Sequence, residues 1–290
     1  MKWLFLIILS TFVSGGSAGI DRRVLVIEPN ESVQEILGSL QTLGLIRSIN
    51  LAKVYLKFSG EMASLKPGIY YLSSSQKFSE IIKTLSRGPS DVKVTIPEGW
   101  RREQIAEYLS PYLTDKYFLP YSASLEGKLF PDTYFIPPTT TSAQVIRMMV
   151  DNFDKKVGKT VNADTLIIAS LVERESRIDN ERGIIAGILW KRYRNNWALQ
   201  VDATLQYVQG RSSDWWPKNV NTRLPSAYNT YTHVGLPPGP IGNPGLASIR
   251  AALEPIESPY WYYLHDGKGI VHFAKTLEEH NLSVDKYLSN

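Results

Sequence analysis

The chain has 290 residues, of which 43% are hydrophobic and 21% charged, with 20 Gly, 17 Pro and no Cys. These proportions exclude wholesale disorder and a collagen-like repeat, and the missing Cys excludes disulfides, thiolate zinc sites and cysteine nucleophiles. A net charge of +4 is compatible with anionic polymers or lipid and carries little weight for nucleic acid.

Residues 1–20 stand apart from the rest. Lys2 precedes an almost continuous apolar run from Trp3 to Val13, and the small residues SGGSAG follow. This is the pattern of an export signal or a short anchor. A membrane span needs about 20 apolar residues, a length reached only if the Gly/Ser stretch is counted. Either form places the remaining chain outside the cytoplasm.

A weak repeat follows. Ile27, Leu72 and Ile96 each sit in or at the end of a β-type run, and each is followed at offsets of nine and thirteen by apolar residues: Ile36 and Leu40, Ile81 and Leu85, Ile105 and Leu109. The later two positions lie four apart, as on one helix face. Turn and cap residues separate them from the strands. Residues 21–110 therefore read as small strand–turn–helix units. Residues 111–142 are aromatic, irregular and marked by Pro turns, which suits a connector. Helical periodicity dominates from about Ser142 to Asn195. A Pro/Gly loop, GLPPGPIGNPG, leads into a helix from near Leu246. Tyr260 to Phe273 has the pattern of a β-hairpin with a Gly-bearing turn, and a last helix is expected over 276–288. The fold class is α+β.

The segment NADTLIIASLVERESRIDNER (162–182) carries the sharpest chemical signal. Asn162 is suited to cap its start. At about 100° per residue with Glu175 at zero, Leu171 falls near −40°, Ile168 near +20°, Val172 near +60° and Ile178 near −60°. Glu175 thus lies along the apolar face, whereas Glu173, near 160°, is expected at the surface. A carboxylate among apolar side chains has its pKa raised, the condition for an acid that still holds a proton near neutral pH. Two other readings stay open at this level: an ion pair with Arg174, Arg177 or Arg182, or a helix that ends at Arg174 and leaves Glu175 in solvent. The four His residues show no local metal-ligand spacing, and no phosphate loop or nucleophile elbow is present. LQVDATLQY (199–207) and SAYNTYTHVGLPPGP (226–240) mix aromatics with amides and hydroxyls, as sugar-binding clefts do, and a tyrosine-rich loop packed on a core would look the same.

Several strings in order then carry a resemblance: LKPGIYYL (65–72), VTIPEGW (94–100), EGKLFPDTY (126–134), ASLVERES (169–176), LQVDATLQY, AYNTYTHVGLPPGPIGNPG (227–245) and DGKGIVHFAKTLEEHN (266–281). Through them the chain resembles the YceG-like endolytic murein transglycosylases (MltG type) over nearly its whole length. The resemblance implies an anchor or signal at 1–20, a LysM-like α+β subdomain at 21–110, a connector at 111–142, and a mixed, helix-rich, lysozyme-like catalytic domain with a C-terminal β-hairpin at 143–290. It carries the family's catalytic Glu, the second Glu of a V/I-E-K/R-E string, over to Glu175. By motif position it places Gln200, Tyr228, Asn229 and Tyr231 in the substrate cleft. Asp202 is then a structural ligand of its loop, or the second carboxylate of a muramidase-type hydrolase, whose two carboxyls would stand about 5–9.5 Å apart. The implied reaction cleaves the β-1,4 bond between N-acetylmuramic acid and N-acetylglucosamine, with 1,6-anhydro ends and neither cofactor nor metal. The implied partners are peptidoglycan glycan strands, the inner (cytoplasmic) membrane through residues 1–20, and cell-wall synthases, with no nucleic acid. A single-pass protein with its catalytic domain on the extracytoplasmic side is expected, or a secreted one after signal cleavage. A non-catalytic peptidoglycan-binding protein is the third reading.

Overall fold

In a computed structural model of the chain, the described residues are 22–60, 65–158, 161–176 and 178–288. The apolar N-terminal segment lies outside them. Among the described residues no helix is long and apolar enough to cross a membrane. They form eleven α-helices and three two-stranded sheets, an α+β composition. The chain divides into two compact units. One comprises the chain up to Val94 with Tyr112–Thr114 and Phe135–Thr141; the other comprises Thr95–Pro111, Asp115–Tyr134 and the chain from Ser142 onward.

In the first unit, β1 (Arg22–Ile27) pairs antiparallel with β2 (Gly68–Ser73), setting Leu25 opposite Tyr70. Helices α1 (Val33–Thr42) and α2 (Ile49–Ser59) lie between the strands in sequence, and α3 (Phe78–Arg87) follows β2. Ser32 starts α1 through a capping box. Its hydroxyl accepts the Glu35 N–H at 3.3 Å, and the Glu35 carboxylate accepts the Ser32 N–H at 2.8 Å. Ile27, Ile36, Leu40, Leu72, Ile81 and Leu85, the apolar positions of the first two sequence repeats, meet in one buried cluster. Each fully buried Leu or Ile contributes about 1.5–3 kcal/mol of hydrophobic stabilisation. The third set, Ile96, Ile105 and Leu109, is buried as well. It follows β3 (Val92–Thr95) and lies partly on α4 (Arg102–Leu109). The irregular stretch beyond holds the short α5 (Phe118–Tyr121) and β4 (Thr133–Ile136).

In the second unit, the periodic stretch from Ser142 forms three helices: α6 (Ser142–Val157), α7 (Ala163–Glu175) and α8 (Asp179–Arg194). The first break falls at Gly158, whose φ of +93° suits a helix terminator. The second falls at Ser176, which is extended at φ −119° and ψ 136°. Then come α9 (Asp202–Gln209), a long turn-rich stretch, α10 (Leu246–Leu253), β5 (Tyr262–His265), β6 (Val271–Ala274) and α11 (Leu277–Tyr287). Strands β5 and β6 pair antiparallel, and α11 packs on both. The core of this unit centres on α7, where Leu166, Ile168, Leu171 and Val172 pack with Ile185 and Leu189 of α8 and Ile249 of α10.

Candidate active site

Helix α7 begins where Asn162 accepts the Thr165 N–H at 2.8 Å. Every residue from Thr165 to Val172 is buried. The helix ends at Glu175, because Ser176 turns extended and gives its hydroxyl to the Ile178 carbonyl at 2.9 Å. The helical wheel carried one residue set too far: Ile178 is not on this helix but caps α8 and is 50% exposed. Glu175 is therefore the last residue of a buried helix, aimed into a cleft with a cavity volume of ≈ 510 Å³.

Among the described residues one hydrogen bond reaches its carboxyl group: the Tyr263 hydroxyl donates to Oε2 at 3.2 Å. Burial raises the Glu175 pKa from the usual carboxylate range to about 7. The Tyr263 bond opposes that rise, the Asp202 charge adds to it, and Arg174 and Arg192 oppose it more weakly. The ion-pair reading does not hold for the described arginines. Arg182 Nη2 approaches Glu173 Oε1 at 3.8 Å, and Arg174 lies over the Trp216 ring at 3.8 Å. Arg177 lies outside the described residues.

Asp202 opens α9 in the same cleft and accepts the Tyr231 hydroxyl at 2.5 Å. Gln200 also lines the cleft; its backbone is left-handed at φ 54°, uncommon for a residue with a Cβ, and its N–H bonds the Thr230 carbonyl at 3.0 Å. Glu175, Gln200, Asp202 and Tyr231 are thus brought together. Tyr228 and Asn229 are not in the cleft lining. Tyr228 packs its ring on Tyr207 with centroids 5.2 Å apart. Asn229 is fully buried; its Nδ2 donates to the carbonyls of Thr222 at 3.1 Å and Leu224 at 2.8 Å, and its Oδ1 accepts the Tyr231 N–H at 3.0 Å. Asn229 shapes the loop that presents Tyr231.

Three contributors escaped the sequence pattern. Tyr263 arrives on β5, whose aromatic run signals a strand without saying which ring meets Glu175. Arg192 fixes the cleft wall, donating from Nε to the Trp261 carbonyl at 3.0 Å and from Nη1 to the Leu199 carbonyl at 2.6 Å. Helix α11 adds Leu277, His280 and Val284 to the lining, Leu288 follows at its C-cap, and His280 stacks on Tyr262 with centroids 5.3 Å apart.

Glu173 corrects the expectation of a surface residue: its side chain is only 9% exposed. Because α7 is covered all round, the side opposite Glu175 is also interior. Glu173 Oε2 accepts the Gly245 N–H at 2.9 Å. A Cβ on Gly245 would meet the Glu98 carboxylate, which would have to swing aside. A second unforeseen carboxyl is Glu126. Its oxygens accept from the Arg102 N–H at 3.1 Å, the Asn243 amide at 2.8 Å and the Tyr207 hydroxyl at 3.1 Å. Burial, with help from Glu103, raises its pKa to about 7 against the pull of those bonds.

No group of three or more His, Asp or Glu among the described residues could hold a metal ion. The cleft sets Glu175 and a second carboxyl, Asp202, beside Arg174, Arg192, His265 and His280, among hydroxyl, amide and aromatic groups.

The YceG-like family matches residues 25–286. An endolytic murein transglycosylase of Bacillus subtilis (strain 168) is 30% identical over 305 residues, spanning 91% of this chain and 84% of that protein. One of Streptococcus pneumoniae serotype 2 is 29% identical over 321 residues, and there the match spans 91% of this chain and 58% of the pneumococcal protein. The crystal structure of a yceG-like protein from Listeria monocytogenes superposes with a TM-score of 0.58 at 28% identity, covering 91% of this chain and 99% of that one.

Proposed function

Since the chain belongs to the YceG-like family, we propose that Glu175 is the single acid–base group of its reaction. The protein is a peptidoglycan lytic transglycosylase, a lyase that cuts glycan strands internally. The bond broken is that from muramoyl C1 to the glycosidic oxygen. Glu175, protonated, gives its proton to that oxygen as the bond opens and leaves as a carboxylate. The muramoyl C6 hydroxyl then closes on C1 while Glu175 takes its proton back. A 1,6-anhydro end forms, no water is consumed and the carboxyl is regenerated. One carboxyl suffices because the nucleophile belongs to the substrate, whereas hydrolysis requires a second group to activate water or to attack.

The observation that carries this reading is a buried carboxyl at a helix end, with a pKa of about 7, open to a cleft of ≈ 510 Å³. Asp202, held by Tyr231, acts as a fixed negative charge that helps keep Glu175 protonated. Gln200 and Tyr231 offer neutral groups to the sugars. The first unit, with two helices between paired strands, supports a LysM-like glycan-binding role. Residues 1–20 tether the enzyme to the cytoplasmic membrane, with its catalytic unit on the extracytoplasmic side beside cell-wall synthases. Mass spectrometry of glycan strands digested in ¹⁸O-labelled water tests the chemistry. Anhydro ends without label are expected. Labelled reducing ends would assign a muramidase using Glu175 and Asp202, and uncut strands would leave only a binding protein.

A further inference from the structure

Arg174 and Arg192 both line the cleft, and their guanidinium groups differ in what they hold. Arg192 donates to two backbone carbonyls, those of Trp261 and Leu199. Arg174, next to Glu175, has its guanidinium carbon 3.8 Å above the Trp216 ring, and none of its five N–H donors meets an acceptor among the described residues. Its Nε is buried without a partner. The platform beneath it is fixed, because the Trp216 indole N–H donates to Gln104 Oε1 at 3.2 Å. The neighbouring carboxyls Glu175 and Glu173 favour its charge from a distance, without an ion pair within 4 Å among the described residues. Glu173 is engaged with the Gly245 N–H and Arg182, and Glu175 is neutral in the protonated form that starts the reaction.

A partly desolvated guanidinium lacking an acceptor is unfavourable, and its two Nη groups, which unlike Nε are not enclosed, match a carboxylate with two parallel hydrogen bonds. We infer that Arg174 binds a carboxylate carried by the glycan strand, fixing the muramoyl unit beside Glu175. The inference rests on the transglycosylase reading. Two parts of the substrate offer this chemistry: the lactyl carboxylate of a muramoyl unit without its peptide, and the carboxylates of an attached stem peptide.

The test compares wild type with Arg174→Gln on four substrates: strands stripped of peptide and strands bearing peptide, each untreated or with carboxylates converted to methylamides by carbodiimide coupling. Losing a charge-assisted hydrogen bond should raise the wild-type KM about 10- to 100-fold on amidation, with kcat changed far less. For Arg174→Gln the same amidation should change KM less than about twofold. The strand type that shows this coupling identifies the source of the carboxylate. Amidation that affects both enzymes equally, or leaves the wild-type KM unchanged on both strand types, overturns the inference. The wild-type arm decides even if the variant folds poorly. Anhydro ends from wild-type digests of untreated strands show in the same samples that the underlying reading stands. Their absence would fail that reading, whatever Arg174 binds.

Discussion

Glu175 and Glu126 are both half-buried residues with desolvated carboxyls, and that desolvation raises both to a pKa of about 7. Their surroundings differ. Glu126 is enclosed and accepts from the Arg102 backbone, the Asn243 amide and the Tyr207 hydroxyl, three segments distant in sequence. Among the described residues Glu175 accepts one bond, from Tyr263, and it lines a cleft. A perturbed pKa alone therefore does not distinguish a reacting group from a structural one. The distinction lies in unfilled capacity aimed at space a substrate can enter. Glu126 ties three segments together, and Glu175 lines a cleft, as its proposed role requires.

The largest effect separating the two is on rate. Glu175→Gln should lower kcat about 10²- to 10⁴-fold, the range for a lost general acid, while the fold survives. It should even gain stability at high pH. A carboxyl with a folded pKa above its unfolded value binds more protons in the folded state between about pH 4.5 and 7, so wild type loses stability as pH rises through that window. Denaturation above pH 7 should show the variant ahead by up to about 3 kcal/mol, a difference that vanishes below about pH 4.5. Glu126→Ala should behave oppositely, losing about 3 kcal/mol or more because three donors are left without their acceptor. A stable Glu126→Ala protein would remove the contrast.

Smaller effects sharpen it. Glu173→Gln should lose about 1–2 kcal/mol of stability through its contacts to Gly245 and Arg182, with anhydro products still formed. A rate loss matching that of Glu175→Gln would make Glu173 the acid. Finally, activity should fall as pH rises through the Glu175 pKa, and that limb should move when its neighbours change. Tyr263→Phe removes a bond that favours the carboxylate and should move the limb up. Asp202→Asn removes a repelling charge and should move it down, each by about one unit or less. Identical limbs in all three proteins would show that neither neighbour tunes the acid.

The sequence made part of this legible. The repeat offsets placed nine residues that are all buried, because strand and helix periods constrain which positions face a core. The Asn162 cap and the interior placement of Glu175 followed from local chemistry as well. The wheel could not place Glu173, since a phase argument assumes one solvent face and α7 has none. It also ran through Ser176, which turns extended and gives its hydroxyl to the Ile178 carbonyl. Tyr263 and the α11 wall reach the cleft through packing of β5 and α11 far along the chain, and Arg192 reaches it from α8, which no local pattern encodes. Tyr228 and Asn229 share a string with Tyr231, yet only Tyr231 lines the cleft, because the tight turn around Asn229 sends neighbouring side chains in different directions.

The most direct test of Glu175 as the proton donor is titration of its side-chain carboxyl by ¹³C NMR in Glu-labelled protein, set against the pH dependence of kcat/KM. The resonance absent from Glu175→Gln identifies the group. It should titrate near pH 7 and coincide with the alkaline fall in kcat/KM, which reports the free enzyme. A Glu175 resonance that titrates near 4.5, or a kcat/KM limb that instead follows the resonance lost in Glu126→Gln, would contradict the account.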